Sequence, residues 1–295
     1  MKPPDVEALQ IHEDQAFFRE AVRFTARMRG FSPGLVEKDY FCTLLLAYLT
    51  QRVPDLVFKG GTCLSKVHTD FFRLSEDLDF TIPTRLGSTR GERSKKAAGL
   101  KEAVSGLSRA LPAFSSIEPL TGANSSTQYI AVANYASLME SRIQKVKIEV
   151  GLREPLTIAS ARLGARTLLL NPVNSDPMLP ALPLPCLSLR EAYAEKCRAA
   201  LTRQTVAIRD YFDLDHAIRK KRFHPEGAEM IELVKAKLAV PGTGRINMSA
   251  ARLAQLRLQR ESELRPVLRE EDYMEFELER IWERMYAMAG GLVGS

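Results

Sequence analysis

Residues Val57 to Ile82 read V-F-K-G-G-T-C-L-S-K-V-H-T-D-F-F-R-L-S-E-D-L-D-F-T-I. The pattern predicts a short apolar strand over Leu56–Lys59, a tight turn at Gly60-Gly61, a helix over Gly61–Asp70 and a second strand over Asp77–Ile82. Alternate side chains of a strand share a face, so Asp77 and Asp79 project together while Leu78 and Phe80 point the other way. Glycine lets a backbone approach a phosphate closely, and free amides at the start of the next helix carry partial positive charge. Two carboxylates beside such a turn suit a magnesium-bound nucleoside triphosphate. Thr62, Ser65 and Ser75 offer hydroxyls, and Lys66, one helical turn after Thr62, is the cation expected on the phosphates. A lone Gly-Gly or a lone D-x-D is common; the two together carry the reading.

Working outward, the pattern between Ser116 and Val150 is that of strands. Gln128–Tyr135 and Gln144–Val150 both alternate apolar and polar residues, as half-buried antiparallel strands do. In Val146-Lys147-Ile148-Glu149-Val150 the apolar residues take one face, which leaves Lys147 and Glu149 on the other. Metal-assisted nucleotidyl transfer commonly draws on a third carboxylate from a neighbouring strand, to hold metal and to take the proton of the acceptor hydroxyl. Glu149 is the candidate; a merely exposed Lys/Glu face is the rival reading.

The motif K-G-G-T-x-L-S-K followed by S-E-D-L-D-F resembles the AbiEii/AbiGii toxin family of abortive-infection (type IV) toxin–antitoxin systems, within the polymerase-β-like nucleotidyltransferase superfamily. Three further segments extend the resemblance from about Val36 to about Ile218: the Lys147–Glu149 strand, Glu191–Ala199 as E-x-x-x-E-K-x-x-A, and Arg209–Leu214 as R-D-h-h-D-L. It implies a nucleotidyltransferase-like α+β fold. It also implies catalytic roles for Asp77, Asp79, Glu149, Lys196 and Asp213, with Gly60, Gly61, Thr62, Lys66, Ser75 and Lys196 on the nucleotide. Asp77, Asp79 and Glu149 would hold magnesium. The implied reaction moves a nucleoside monophosphate from an NTP to an acceptor hydroxyl, the 3′ end of tRNA in some relatives, and the implied partner is a cognate antitoxin. The alternatives are a protein-modifying (adenylylating) transferase and a non-catalytic NTP- or RNA-binding module.

Bulk properties narrow the class. The chain has 295 residues, 45% of them hydrophobic and 26% charged, enough for a sizeable core. Formal net charge is +6; from Cys186 to Arg222 nine basic residues outnumber five acidic ones, either a patch that meets phosphates or a solvated helical face. Cys42, Cys63, Cys186 and Cys197 lack metal-ligand or redox spacing, so idle thiols are expected. The start Met1-Lys2-Pro3-Pro4-Asp5 leads into no signal-type apolar run, and Phe41–Leu49 is far shorter than the roughly 20 residues of a membrane span. A cytoplasmic protein without membrane contact is expected. Pro172, Pro177, Pro180, Pro183 and Pro185 should interrupt regular structure and mark a boundary. The expected organisation is an α+β mixed-sheet domain with flanking helices over residues 1–185, then an all-helical domain over 186–295 that completes the active site.

Overall fold

The computed structural model describes residues 9–293; the Met1–Asp5 segment discussed above lies outside them. The chain divides into two compact units, Met1–Leu187 and Ser188–Ser295, where a division after residue 185 was expected.

The first unit is built on a seven-stranded mixed sheet in the order β3-β4-β5-β2-β1-β7-β6. The strands are β1 Val57–Lys59, β2 Leu78–Thr81, β3 Phe114–Ala123, β4 Gln128–Ala136, β5 Ile143–Gly151, β6 Ala161–Ala165 and β7 Leu182–Cys186. Helices α1 (Gln15–Arg29) and α2 (Pro33–Arg52) precede it. Asp14 caps α1, accepting from Phe17 N–H, and Ser32 caps α2 ahead of a proline in its first turn. The α2 run Tyr40–Leu49 is buried throughout, which explains why it is apolar on all sides. It shares one core with Phe58, Phe80, Ile148 and Val150 of the sheet. Phe58 and Phe80 are register partners, their rings 5.5 Å apart.

Two sequence expectations need correction. The single helix expected over Arg93–Leu111 is three short helices, α4 Arg90–Lys96, α5 Ala98–Ser105 and α6 Leu107–Ala110. The proline-dense segment is not irregular throughout, because it contains β7. Leu187 N–H donates to Phe58 O, so odd-numbered residues of this strand face β1. Pro183 and Pro185 share that parity, and β1 pairs with β7 only around Phe58 and Cys186. The donors that proline lacks thus fall where they have little or nothing to pair with, and the even-numbered residues keep the ladder to β6.

The second unit is helical: α7 Leu189–Thr202, α8 Ile208–Lys221, α9 Ala228–Leu238, α10 Ala250–Gln259, α11 Glu270–Glu275 and α12 Leu278–Val293. Trp282 of α12 stacks on Tyr211 of α8 at 6.0 Å. The four cysteines are buried and unbridged, and burial pushes the Cys42 thiol up to about 12, which keeps it inert. No helix among the described residues is long and apolar enough to cross a membrane.

Candidate active site

Register brings the polar residues of the three central strands together. Lys59 pairs with Asp79 across β1–β2, and Asp79 pairs with Glu149 across the parallel β2–β5 ladder. Lys59, Asp79 and Glu149 therefore form one row on the sheet face opposite Phe58, Phe80 and Val150. Asp77, two residues before Asp79, is half-buried like it, whereas Leu78 and Phe80 are buried. Lys147 Nζ lies 2.8 Å from Glu149 Oε2, and Gln128 Nε2 donates to Glu149 Oε1 at 2.6 Å.

The electrostatics follow from this crowding. Burial works to lower the Lys147 pKa, but the Glu149 carboxylate, with Asp77 and Asp79 behind it, raises the pKa above the usual lysine value. Burial likewise works to raise the Glu149 pKa; Lys147, Gln128 and Lys59 outweigh it and hold the carboxyl below its ordinary range. Glu149 thus faces Lys147 and Lys59 inside the chain.

The glycine turn is fitted against this row. Gly60 has φ +76°, and a Cβ there would sit 2.7 Å from Asp79 Cβ and closer still to Oδ2. A Cβ on Gly61 would come within 2.5 Å of Arg73 Nη2 and 3.0 Å of Ser75 Oγ. Thr62 is buried and donates to Asp77 O at 2.5 Å, so its hydroxyl fixes the backbone that carries the acids. Ser65 does the same one turn on, donating to Arg73 O at 2.7 Å.

Lys66 is corrected. It is fully buried, its Nζ 2.7 Å from Asp39 Oδ1 and 2.9 Å from Thr43 Oγ1, with a third bond to Arg166 O at 3.2 Å. Its ammonium is committed to α2 and to the 166–168 segment, where Asp39 also accepts from Leu168 N–H. The helix expected over Gly61–Asp70 is one α-turn, α3 Gly60–Cys63, followed by a π-helical turn, Leu64–His68. The wider π-turn changes the phase, so a step of one ordinary helical turn from Thr62 no longer predicts where Lys66 points.

The three-acid metal centre is corrected too. Among the described residues no group of three or more His, Cys, Asp or Glu side chains is placed to hold a metal ion. Asp79 and Glu149 are register partners, but both Glu149 oxygens are engaged by Lys147 and Gln128. Asp77 and Asp79, at β2, are a pair of hard oxygen donors. That set fits magnesium, which is usually held by one or two carboxylates plus substrate phosphates and water.

A family model described as nucleotidyl transferase AbiEii toxin, type IV TA system, matches residues 44–292. The chain belongs to the AbiEii nucleotidyltransferase toxin family. Among solved structures it is similar to MenT4, the nucleotidyltransferase toxin Rv2826c from Mycobacterium tuberculosis H37Rv, at 17% identity over 98% of this chain and 99% of that one, with a TM-score of 0.48. It is also similar to JHP933 from Helicobacter pylori, at 16% identity over 95% and 92% of the two chains, with a TM-score of 0.45. No functionally curated protein matched the chain.

The remaining AbiEii-like residues lie in the second unit. Lys196 of α7 sits 2.7 Å from Asp210 Oδ1 and 2.8 Å from Asp213 Oδ2, both of α8. Lys196 is therefore clamped between two acids, and Arg209 donates to Glu263 O at 3.0 Å. Beside it Glu191, fully buried, takes Lys237 Nζ at 2.5 Å. Tyr193 Oη, also buried, has no hydrogen-bond partner among the described residues. Sequence reasoning missed Gln128 and Lys237. The place of Gln128 at the head of β4, on the Glu149 face, was readable only once the β4–β5 register was known.

Proposed function

We propose that this toxin is a magnesium-dependent nucleotidyltransferase that moves a nucleoside monophosphate from an NTP to the 3′-terminal hydroxyl of tRNA. The observation that carries the reading is the row Lys59–Asp79–Glu149 with Gly60 packed against Asp79, because it sets carboxylates beside a backbone that a triphosphate can approach. Asp77 and Asp79 would hold the magnesium, which when bound supplies charge neutralisation of the triphosphate. Gly60 and Gly61 let the turn pack directly against Asp79, Arg73 and Ser75, and the Ser75 hydroxyl is a further candidate phosphate contact. Thr62 and Ser65 hold Asp77 and Arg73 in place.

In the reaction the acceptor oxygen attacks the α-phosphorus, the bond to the bridging α–β oxygen breaks, and pyrophosphate leaves with that electron pair. The hydroxyl proton passes to Glu149, whose Oε2 is freed when the partly exposed Lys147 turns outward to the phosphates. The basic run Cys186–Arg222 supports an RNA acceptor. A cognate antitoxin belongs to the family's biology.

The test is incubation of the purified protein with each α-labelled NTP and magnesium, with tRNA or cell protein as acceptor. Label on intact tRNA, lost on removal of its terminal nucleoside, is the expected result. Label on protein alone overturns the acceptor assignment; nucleotide binding with no transfer to either overturns the enzymatic reading of these residues.

A further inference from the structure

We propose that Gln128 is a positioning residue for Glu149, held in its working orientation by a strained turn through Asn124; the role in transfer rests on the function proposed above. The geometry divides the Glu149 carboxylate: Oε1 takes the Gln128 amide at 2.6 Å, and Oε2 takes Lys147 at 2.8 Å. The first contact fixes the rotamer, and the second can be given up, since the Lys147 side chain is 40% exposed.

A glutamine amide could present either end to a carboxylate. Here the choice is made by its neighbour, because Asn124 Nδ2 donates to Gln128 Oε1 at 3.1 Å and leaves Nε2 for Glu149. Asn124 is placed by an uncommon backbone. Asn124, Ser125 and Ser126 have φ of +50°, +55° and +63°, three consecutive non-glycine residues in the left-handed region. Such a turn persists only where its surroundings over-determine it. Arg93 of α4 donates to Ser125 O through Nη2 at 3.0 Å and Nε at 3.3 Å. Thr127 Oγ1 donates to Asn124 O at 2.8 Å, and Leu152 N–H donates to Thr127 O at 2.8 Å, tying the turn to the chain just past β5. The relay therefore runs from α4, through the β3–β4 turn, to the acid on β5. Gln128 is half-buried, and Asn124 is exposed.

The experiment uses the full chain and the variants Q128A, Q128L, N124A, N124A/Q128A, E149Q and Q128A/E149Q. Two readouts are taken: steady-state transfer with its KM for NTP, and the rigidity of the Glu149 side chain by NMR relaxation of its labelled methylene groups. Q128A and Q128L should each lower kcat on the order of tenfold with KM for NTP within about twofold, about the worth of one hydrogen bond to a charged group. N124A should lose about threefold, and N124A/Q128A should be no worse than Q128A, as expected of residues that act through one another. In the E149Q background Q128A should leave kcat unchanged. Equal losses in the two backgrounds overturn the proposal, as does a loss that follows melting temperature. If wild type labels no acceptor, the functional reading falls, and the relaxation measurement still decides: a Glu149 side chain loosened by Q128A and Q128L supports positioning, and one left unchanged overturns it.

Discussion

Lys66 and Lys147 lie in the same unit, and each ammonium meets a carboxylate, at 2.7 Å to Asp39 and 2.8 Å to Glu149. They differ in access to water: the Lys66 side chain is 0% exposed and that of Lys147 is 40% exposed. The sealed pair cannot exchange its partner without leaving a charge in the interior, so it serves architecture, joining α2 to the π-turn and the 166–168 segment. The open pair can be exchanged at small cost, and its carboxylate is the one in register with Asp79. Distance alone does not tell a structural pair from a functional one; exposure does.

The sharpest way to break this comparison is to remove charge from the open face. D79N or D77N should cut transfer by roughly a thousandfold or more, about 4 kcal/mol of barrier, with little change in melting temperature because both side chains are half-buried at the surface of the sheet. Labelled-NTP assays beside thermal melts check it. A comparable loss of fold would move these acids to the architectural side.

The next effect belongs to the sealed pair. K66M leaves Asp39 buried with no cation and should destabilise the first unit by about 3–5 kcal/mol, whereas D39L/K66M should recover much of that loss because neither charge is left unpaired. Urea transitions of the three proteins measure it. A K66M protein that is fully stable but weak in NTP binding would restore Lys66 to the phosphates.

Glycine gives a smaller contrast of the same kind. Gly60 and Gly87 have φ of +76° and +78°, but a Cβ on Gly60 meets Asp79, and one on Gly87 meets nothing within 4 Å. G87A should therefore cost only the left-handed penalty, about 1–2 kcal/mol, with transfer intact. G60A should cost that and also displace Asp79, lowering kcat/KM by about thirtyfold or more, some 2 kcal/mol. Equal activity in the two variants would mean that Gly60 serves the turn alone.

Much of this site was legible before the fold. Two-residue periodicity was enough to put Asp77 with Asp79, and Lys147 with Glu149, because strand alternation needs no knowledge of partners. What periodicity cannot supply is which strand lies beside which. The Asp79–Glu149 pairing spans seventy positions of sequence and depends on β5 lying parallel beside β2. Lys66 was misread for a related reason: helical spacing shows neighbours on one turn but not that Asp39, 27 positions earlier, waits inside. Gln128 carried no signal of its own, since its meaning comes from a hydrogen bond across the β4–β5 ladder. The prolines of β7 misled because breakers were counted without their parity.

The smallest effect expected is on pH dependence. Lys147→Met removes a half-exposed pair and should cost under about 1 kcal/mol at neutral pH. The sign at the two pH limits differs. Glu149 has its pKa depressed in the folded chain, so its contribution is present above the unfolded carboxyl value and is lost as pH falls through the folded one. Lys147 has its pKa raised, so its contribution is present below the unfolded amine value and is lost as pH rises through the folded one. Without Lys147, burial is opposed only by Gln128 and the more distant Lys59, and the Glu149 pKa must climb. K147M should therefore begin to lose stability at a higher pH on the acid side than wild type and should lose the alkaline contribution of this pair. Melting temperatures from pH 3 to 11 would show both; an unmoved acid limb would mean that Gln128, rather than Lys147, sets the charge state of Glu149.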